Sequence, residues 1–574
     1  MLSLLLALPL LSCSRQEVVP NILVVVADDL GIDLVNAYGV APSPPCTPSL
    51  DALAEEGLLF RDAWATPYCS PSRAALLTGR HGFRTGIGQP IAAVLSLDEF
   101  TLAEGLRDSE ERYSTAALGK WHLAGGAGAD PMHPNKSGFE HFAGTLDGFV
   151  PDYSAWSKIT NGKAAPTTVY ATVDTTDDAL EWIDALPEPW FLYVSYHAPH
   201  TPLHHPPAEL CPPSTNCPDG FCANLGPASS DVDQLKAMVE VLDDQIGRLA
   251  DAIDTADTYL FVIGDNGTTA AGSEPPFASE KAKGTVYQGG VKVPLIVLGP
   301  GVVPGETSAP VGITDLMATI GDLTRTGLTA EDSVSFVPTL FDPGYRPRST
   351  VYAETFTPNG STLPIPRHDY TVRDGRFKLL VQHDQPEELY DLTADFFEEQ
   401  NLLPPATPNV QATYDRLLAE VRVLHDGLDF EATTNAVSLS SGGVQQLILA
   451  AGTEAAQQLY WVLGSASGTS PGVPLPAGAL PLVLDAYTTL SITGANESPF
   501  AATLGTFNDQ GTALASVTVA AGGAPEFVGA TYVGQTLVGP SLIGTVLNHA
   551  YVRLDPQTGA VTGVSGPEPL CLLP

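Results

Sequence analysis

Four short apolar segments of this chain end in polar residues, and this repeated arrangement constrains the fold more than any other feature. Each segment has the length of a buried strand, and the stretches 47–60 and 230–253 between them have the apolar spacing of helices. Strands that alternate with helices are typical of a mostly parallel sheet with helices on both faces. The four segments are NILVVVADD (21–29), YSTAALGKWH (113–122), PWFLYVSYHAPH (189–200) and TYLFVIGDNG (258–267).

The polar residues that follow these strands are expected to meet at one edge of the sheet. Ligands bind at the carboxyl ends of the strands in such sheets. A single carboxylate or amide there is commonly only a turn former, but four such positions together favour a site. The oxygen donors among them suit Ca²⁺ or Mg²⁺ better than a soft metal; they are Asp28, Asp29, Asp265 and Asn266.

Cationic and proton-carrying side chains are expected around the same site. They are Arg73, Lys120, His122, His200 and Lys283. Together with a hard divalent cation, such groups describe a metal-assisted site for an anionic group, with acids and bases around it. Phosphate and sulfate esters are the natural substrates for this chemistry.

A cysteine lies at the start of a predicted helix in PYCSPSRAALLTGR (67–80). Pro71 predicts the first turn of this helix and Gly79 its end. Cys69 therefore lies at the helix N-terminus beside Arg73, where an anion is favoured. This setting suits neither a disulfide nor an ordinary core position.

The charge balance excludes two classes of partner. The chain has 26 basic and 65 acidic side chains, a formal net charge of −39. We therefore expect neither a nucleic-acid partner nor an anionic membrane surface. Because an anionic substrate is repelled overall, local basic groups must build its binding site.

Several motifs resemble those of the sulfatase family and follow the order usual for it. CSPSRAALLTGR (69–80) resembles the sulfatase signature, and GKWHL (119–123) resembles its second signature. Further similar blocks are ADDLG, APHTPL, GDNG, KGTVYQGGVKVPLIV and ELYDLTADFFEEQNLL, so that the resemblance covers residues 20–403. It implies a large mixed, mostly parallel sheet flanked by helices, followed by a smaller antiparallel sheet.

The resemblance also implies a chemical identity for the cysteine. In sulfatases this residue is oxidised by a maturation enzyme to formylglycine, whose hydrated aldehyde supplies a hydroxyl nucleophile. A metal-bound diol hydroxyl loses its proton more readily than a serine hydroxyl, and its second hydroxyl releases sulfate by re-forming the carbonyl. The implied ligands of the divalent cation, Ca²⁺ with Mg²⁺ as the alternative, are Asp28, Asp29, Cys69, Asp265 and Asn266.

The same resemblance assigns roles to the basic residues around the nucleophile. Arg73 is expected to hold the diol and nearby carboxylates, and Lys120 is expected to contact sulfate and diol. His122 is expected to accept the diol proton when the aldehyde re-forms. A surface arginine and a solvated turn are the ordinary alternatives for these positions.

Two further residues are matched to the departing oxygen of the ester. His200, with Lys283, is expected to donate a proton or hydrogen bond to the leaving alkoxide. His197 is the local competitor for this role, but the PHTP sequence aligns better on His200.

The ends of the chain differ in composition from its middle. Residues 1–19 resemble a bacterial signal peptide with a lipobox, which predicts a periplasmic, extracellular or outer-membrane protein and allows a lipid anchor at Cys13. A catalytic α/β domain is expected at 20–330 and a C-terminal sulfatase subdomain at 331–431. Residues 432–574 contain regularly spaced short apolar segments with few charges, which predicts an accessory β-sandwich.

The cysteines are consistent with an oxidising compartment. Cys211, Cys217 and Cys222 lie together in the Pro-rich segment CPPSTNCPDGFC, where a disulfide is the first interpretation and a zinc site the alternative. Cys46 and Cys571 have no evident partner in the sequence, so the pairing stays open.

These features predict an exported hydrolase of sulfate esters, with a sulfated small molecule or glycan as substrate. One alternative is a phosphodiester or phosphonate monoester hydrolase that uses the same nucleophile. The other is an inactive carbohydrate-binding surface protein, against which the intact Cys69, Arg73, Lys120 and His122 argue.

Overall fold

The computed structural model describes residues 19–426, apart from 127, 187, 214, 227 and 362, together with strands between 430 and 573. The chain divides into two units. The first contains the residues up to Thr285 and Gly289–Arg348, and the second contains Val286–Gln288 and the residues from Ser349 onward. None of the described helices combines the length and the apolar character that crossing a bilayer requires.

The first unit contains a ten-stranded mixed sheet. The strands of this unit are β1 (Asn21–Ala27), β2 (Leu58–Phe60), β3 (Ala63–Trp64), β4 (Ser114–Lys120), β5 (His141–Thr145), β6 (Trp156–Thr160), β7 (Lys163–Thr167), β8 (Trp190–Ser195), β9 (Thr258–Gly264), β10 (Leu295–Leu298), β11 (Gly305–Thr307) and β12 (Val311–Gly312). The sheet order is β11-β2-β10-β9-β1-β8-β4-β5-β6-β7, and β3 pairs with β12. The strands from β9 to β5 in this order are parallel, whereas β10 and β6 pair antiparallel with their neighbours. The predicted large mixed sheet is confirmed.

The register of the parallel strands brings their carboxyl ends together. Ala27 at the end of β1 lies opposite Gly264 at the end of β9, and Val26 lies opposite Ser195 at the end of β8. Ser195 in turn lies opposite Gly119 of β4. The polar residues after these four strands therefore start from one edge of the sheet, as the sequence predicts.

Helices of the first unit form two packed groups. The helices of the chain are α1 (Pro48–Glu56), α2 (Cys69–Thr78), α3 (Gly82–Thr85), α4 (Leu102–Arg107), α5 (His133–Lys136), α6 (Ala171–Ala185), α7 (Phe221–Asn224), α8 (Asp231–Ala250), α9 (Gln288–Val291), α10 (Leu316–Leu323), α11 (Val337–Phe341) and α12 (Pro408–Asp426). α4 and α10 pack against α2, whereas α1, α6 and α7 pack against α8. The alternate β1 residues Ile22, Val24 and Val26 share one buried core with Leu76 and Leu77 of α2, which fixes this helix on the sheet.

The helix that carries the unusual cysteine begins and ends as predicted. α2 begins at Cys69, and Gly79 follows its last residue with φ of 65°. The Gly79 N–H donates to the carbonyl oxygen of Ala75. A glycine tolerates this left-handed conformation without the steric cost of a side chain, so it ends the helix.

The predicted helix over 47–60 is wrong in its last residues. α1 ends at Glu56, Gly57 adopts an extended conformation, and the apolar residues Leu58–Phe60 form β2 between β10 and β11. The tertiary pairing of β2 overrides the helical spacing that the sequence shows at this point.

Two disulfides connect cysteines of the first unit. Cys46 pairs with Cys217, and Cys211 pairs with Cys222. The disulfide interpretation of the Pro-rich segment is confirmed, and the zinc alternative is wrong because all three of its cysteines are already bonded. The side chain of Cys571 lies outside the described residues.

We expect loss of the Cys46–Cys217 bond to lower the unfolding temperature more than loss of the Cys211–Cys222 bond. The first bond spans 171 residues and the second spans 11. Chain entropy gives about 5 and about 3 kcal/mol respectively for loops of these lengths. Paired serine variants, compared with the native protein by differential scanning calorimetry, check this order. An equal or reversed order contradicts it.

The second unit contains a four-stranded antiparallel sheet in chain order. Its strands are β13 (Val351–Thr357), β14 (Arg367–Arg373), β15 (Phe377–Val381) and β16 (Glu388–Asp391). α12 packs against β14 and β15. The predicted small antiparallel sheet is confirmed.

Further strands of the second unit lie between residues 430 and 573 and form a four-stranded and a six-stranded sheet, with two short hairpin pairs. They are β17 (Phe430–Ala432), β18 (Ala436–Ser438), β19 (Gly443–Ala450), β20 (Leu459–Ser465), β21 (Val473–Leu475), β22 (Gly478–Leu480), β23 (Phe500–Ala501), β24 (Leu504–Thr506), β25 (Thr512–Val519), β26 (Thr531–Tyr532), β27 (Gln535–Thr536), β28 (Val546–Leu554), β29 (Val561–Val564) and β30 (Glu568–Leu573). The β-sandwich architecture of this region stays a prediction.

Candidate active site

The four predicted oxygen donors meet in one buried cluster at the carboxyl ends of β1 and β9. Asp28 and Asp29 follow β1, and Asp265 and Asn266 follow β9; all four side chains are buried. The Asp29 N–H donates to Asp265 Oδ1 over 3.1 Å, and Asn266 Nδ2 donates to Asp29 Oδ1 over 2.9 Å. Asp29 has a φ of 66°, so the chain turns sharply as it leaves the strand.

The donor set fits a hard divalent cation. Asp28 Oδ1 and Asn266 Oδ1 are buried and have no hydrogen-bond partner among the described residues. Burying an unsatisfied polar atom is costly, and a cation would satisfy both oxygens. One ligand atom each from Asp28, Cys69 and Asp265 lies within 4.8 Å of the other two. Carboxylate and amide oxygens are the ligands that Ca²⁺ and Mg²⁺ prefer.

Three cationic side chains are paired with these carboxylates. Lys120 Nζ contacts Asp28 Oδ2, and Lys283 Nζ contacts Asp29 Oδ1. Arg73 donates to Asp265 Oδ2 over 2.8 Å and to the Lys120 carbonyl oxygen over 2.9 Å. The predicted Lys120, Lys283 and Arg73 are therefore all within the cluster.

Burial and charge act in opposite directions on the carboxylates. Burial would raise the pKa of Asp28, but the positive charges led by Lys120 outweigh it and hold that pKa well below its ordinary value. Burial, together with the neighbouring Asp28 charge, raises the pKa of Asp265. A divalent cation among these groups would lower the cost of ionising both.

The Cys69 thiol is buried beside a histidine at the start of a helix. Cys69 is the first residue of α2, and Sγ lies 3.2 Å from His122 Nδ1. Burial raises the pKa of the Cys69 thiol, which keeps the thiol protonated and weakly nucleophilic near neutral pH. Among the described cysteines it is the one without a disulfide.

His122 lies opposite this cysteine as a neutral imidazole. Burial lowers the pKa of His122 to about 2, and the nearby charges of Lys120 and Arg73 act in the same direction. A neutral ring nitrogen can accept a proton. Ser70 fixes the position of this residue, because its hydroxyl donates to the His122 carbonyl oxygen over 2.8 Å.

In its contacts, His200 lies nearer to the carboxylate cluster than its local competitor His197 does. A ring nitrogen of His200 lies within 4.8 Å of carboxylate oxygens of Asp28 and Asp29. The His197 ring instead points its Nε2 at Thr145 Oγ1, 2.7 Å away, and the residue is buried. Burial lowers the pKa of both histidines, in His197 to about 3.

Two further residues support the site and were not predicted from the sequence. Ser195, the last residue of β8, accepts a hydrogen bond from Arg73 through its hydroxyl. The Tyr153 hydroxyl lies 2.9 and 2.8 Å from the carbonyl oxygens of His197 and His200. The position of Ser195 at the end of a predicted strand could have identified it, whereas Tyr153 lies in a loop without a motif.

The fold and the site together define a class. Hard oxygen donors follow the ends of parallel strands, and buried cations and the cysteine at a helix N-terminus lie beside them. In an α/β enzyme, this combination is typical of a site for an anionic ester. The Sulfatase family profile matches residues 20–326, which is more than half of the chain. The chain belongs to the sulfatase family, and it is an enzyme that hydrolyses sulfate esters.

Individual relatives agree with this assignment. N-acetylgalactosamine-6-sulfatase of Homo sapiens is 31% identical over 397 residues, which cover 60% of this chain and 70% of the relative. Arylsulfatase A of Bos taurus is 29% identical over 448 residues, 67% of this chain and 83% of the relative. Among solved structures, Ps i-CgsB in complex with k-i-k-neocarrahexaose has 27% identity and a TM-score of 0.59, covering 71% of this chain and 92% of its own.

Proposed function

We propose that the enzyme removes sulfate from sulfated carbohydrates, with formylglycine made from Cys69 as nucleophile and Ca²⁺ as metal. The observation that carries the proposal is the convergence of Cys69, the buried carboxylates and the three cations at one edge of the sheet. The carbohydrate class is supported by the relatives, since one is an N-acetylgalactosamine-6-sulfatase and another structure holds k-i-k-neocarrahexaose. Measuring free sulfate released from sulfated oligosaccharides tests the proposal, and failure to release sulfate from any sulfated sugar contradicts it.

The metal would be held by the oxygen donors after β1 and β9 together with residue 69. When bound, it supplies positive charge that neutralises the sulfate oxygens and acidifies the nucleophile. Asp28 Oδ1 and Asn266 Oδ1 are buried and have no hydrogen-bond partner among the described residues, so the metal would supply the missing interaction of both oxygens. Mg²⁺ is the alternative ion, and the oxygen donors alone suit both.

The remaining side chains bind the sulfate and move protons. Lys120 and Lys283 hold their charge close to the carboxylates, where the sulfate group would bind. Arg73 fixes Asp265 and the end of β4 through its hydrogen bonds. His122 accepts the proton released when the carbonyl at residue 69 re-forms, because it is neutral and 3.2 Å from that side chain.

His200, with Lys283, would donate a proton or a hydrogen bond to the departing alcohol oxygen. We expect His200→Ala to lower kcat/KM about 100-fold for a sugar sulfate, because an alkoxide leaves poorly without a proton, and less than about tenfold for 4-nitrophenyl sulfate. The exposed His205 supplies the control His205→Ala, which should leave both rates near those of the native enzyme. Steady-state kinetics with the two substrates check this prediction, and equal losses on both would contradict a leaving-group role.

A phosphodiester or phosphonate monoester hydrolase is the second candidate, because the same nucleophile and cations suit phosphorus. Rates on an aryl sulfate and an aryl phosphodiester separate the two, and a higher kcat/KM on the phosphodiester would favour the alternative. An inactive carbohydrate-binding protein is disfavoured by the complete set of site residues.

We also propose that the enzyme is exported, with a maturation enzyme as partner, a lipid anchor at Cys13 and an accessory β-sandwich near the C-terminus. The two disulfides support an oxidising compartment. Radiolabelled lipid incorporation into the native chain but not into Cys13→Ala tests the anchor.

A further inference from the structure

A second cluster of metal-ligating side chains lies in the second unit, in the small antiparallel sheet and the helix packed on it. Glu354 belongs to β13, His368 to β14 and His425 to the last turn of α12. One ligand atom from each lies within 4.8 Å of the other two. The sequence separates these residues by up to 71 positions, so only the folded chain brings them together.

The strand register explains how the sheet presents its part of the cluster. Glu354 lies opposite Tyr370, and Phe356 lies opposite His368. Since side chains two residues apart on a strand share a face, Tyr352 and Glu354 of β13 point to the same side as His368 of β14. Helix α12 then adds His425 from the layer above this face.

The hydroxyl of Tyr352 lies close to the donor atoms of all three residues. This oxygen lies 3.0 Å from Glu354 Oε2, 2.7 Å from His425 Nε2 and 3.3 Å from His368 Nε2. His368 Nε2 lies 2.6 Å from Glu354 Oε2. Four atoms of the kinds that bind transition metals, two imidazole nitrogens and two oxygens, therefore surround one small volume.

These separations are close to those of a tetrahedral metal site. Ligands about 2.05 Å from a tetrahedral ion are about 3.3 Å apart. Four of the six pairs of donor atoms are already at 2.6 to 3.3 Å, and the pairs that involve His425 with Glu354 and His368 lie within 4.8 Å. Side-chain adjustments of at most about 1.5 Å would complete the tetrahedron.

The surroundings hold the ligand side chains in place. Glu354 is buried, and a buried carboxylate requires hydrogen bonds or a cation. The rings of His368 and His425 are stacked with centroids 5.2 Å apart, and Tyr370 packs against both, at 5.0 and 5.1 Å. Packed ligand rings lower the entropy that is lost when a metal binds.

We propose that Glu354, His368 and His425 bind a zinc ion with the Tyr352 oxygen as fourth donor, and that binding releases to solvent the protons that now join these atoms. Zn²⁺ accepts imidazole nitrogen and carboxylate oxygen together, in contrast to the oxygen-only donors that Ca²⁺ prefers. Bound zinc joins the last turn of α12 to the sheet, just before the chain continues to β17. This role is separate from sulfate hydrolysis.

The test uses the full-length protein, freed of metal by chelation and then saturated with Ca²⁺ so that the hard-oxygen site is filled. We expect calorimetric titration with Zn²⁺ to show one site per chain that weakens at least 100-fold in His425→Ala and in His368→Ala. His383→Ala is the matched control, because this histidine is partly exposed and lies beside Asp384 in the same unit. It should bind zinc as the native chain does.

Two further measurements distinguish loss of the zinc site from misfolding of a variant. Tyr352→Phe removes one oxygen and keeps the ring, so it should weaken zinc binding with the fold intact. In the native chain, zinc should raise the unfolding temperature, and Co²⁺ in its place should give the visible absorption bands of a four-coordinate site. The proposal is overturned if the native chain binds no zinc, or if it binds zinc as tightly after His425 or His368 is replaced.

Discussion

Replacing Cys69 by alanine is expected to lower kcat/KM for sulfate ester hydrolysis by about 10⁴-fold or more, because the reacting atoms are removed while the rest of the site stays in place. The change removes a small side chain that the proposed mechanism also makes a ligand of the metal. Calcium binding should therefore weaken, while the unfolding temperature of the calcium-saturated protein stays close to that of the native protein. Steady-state kinetics on an aryl sulfate, together with calorimetry, check this result.

The native sequence supplies a sharper control than any substitution. Protein made without the maturation enzyme has the same 574 residues but keeps the thiol, whereas matured protein has lost about 18 Da from the peptide that contains Cys69. Mass spectrometry gives the modified fraction of each preparation, and activity should rise in proportion to it. Full activity in a preparation that carries only the thiol would remove formylglycine from the proposed mechanism.

Loss of the divalent cation is expected to have an effect of similar size. Asp28→Asn keeps the shape of the side chain but removes the charge that pairs with Lys120 and would bind the metal. We expect kcat/KM to fall by about 10³-fold or more, because the nucleophile is no longer acidified and the sulfate charge is less well neutralised. Elemental analysis of bound calcium, measured beside the rates, checks the cause.

Asp130→Asn is the matched control for this variant. Asp130 also forms an ion pair with a lysine, Lys136, but both side chains are exposed, and such surface pairs contribute little. Its activity and calcium content should equal those of the native enzyme. Chelation of the native enzyme should abolish activity and added Ca²⁺ should restore it. Unchanged rates in protein shown to contain no metal would contradict the metal's role.

The arrangement of the active site could be predicted from local signals. Asp28 and Asp265 each follow a run of buried apolar residues, and such runs form parallel strands whose ends align. Cys69 could be placed because Pro71 and Gly79 mark the start and end of its helix. These features depend on residues that are close in sequence, so the site residues could be identified without the structure. The contacts between them are known only from the fold.

Features that depend on distant residues could not be predicted in the same way. The partner of Cys46 lies 171 positions away, and no pattern near either cysteine identifies the other. Tyr153 supports two backbone carbonyls from a loop without a motif. Leu58–Phe60 has helical spacing but pairs as a strand, because its two neighbours in the sheet come from residues after 290.

The burial of Cys69 constrains when this residue can be modified relative to folding. Only 1% of this residue is exposed in the folded chain, so another protein cannot reach its sulfur there. On the mechanism proposed above, oxidation of Cys69 to formylglycine would have to precede folding, while the segment is still an accessible peptide. A folded chain that had missed this step would then stay inactive until it is unfolded again, however much maturation enzyme surrounds it.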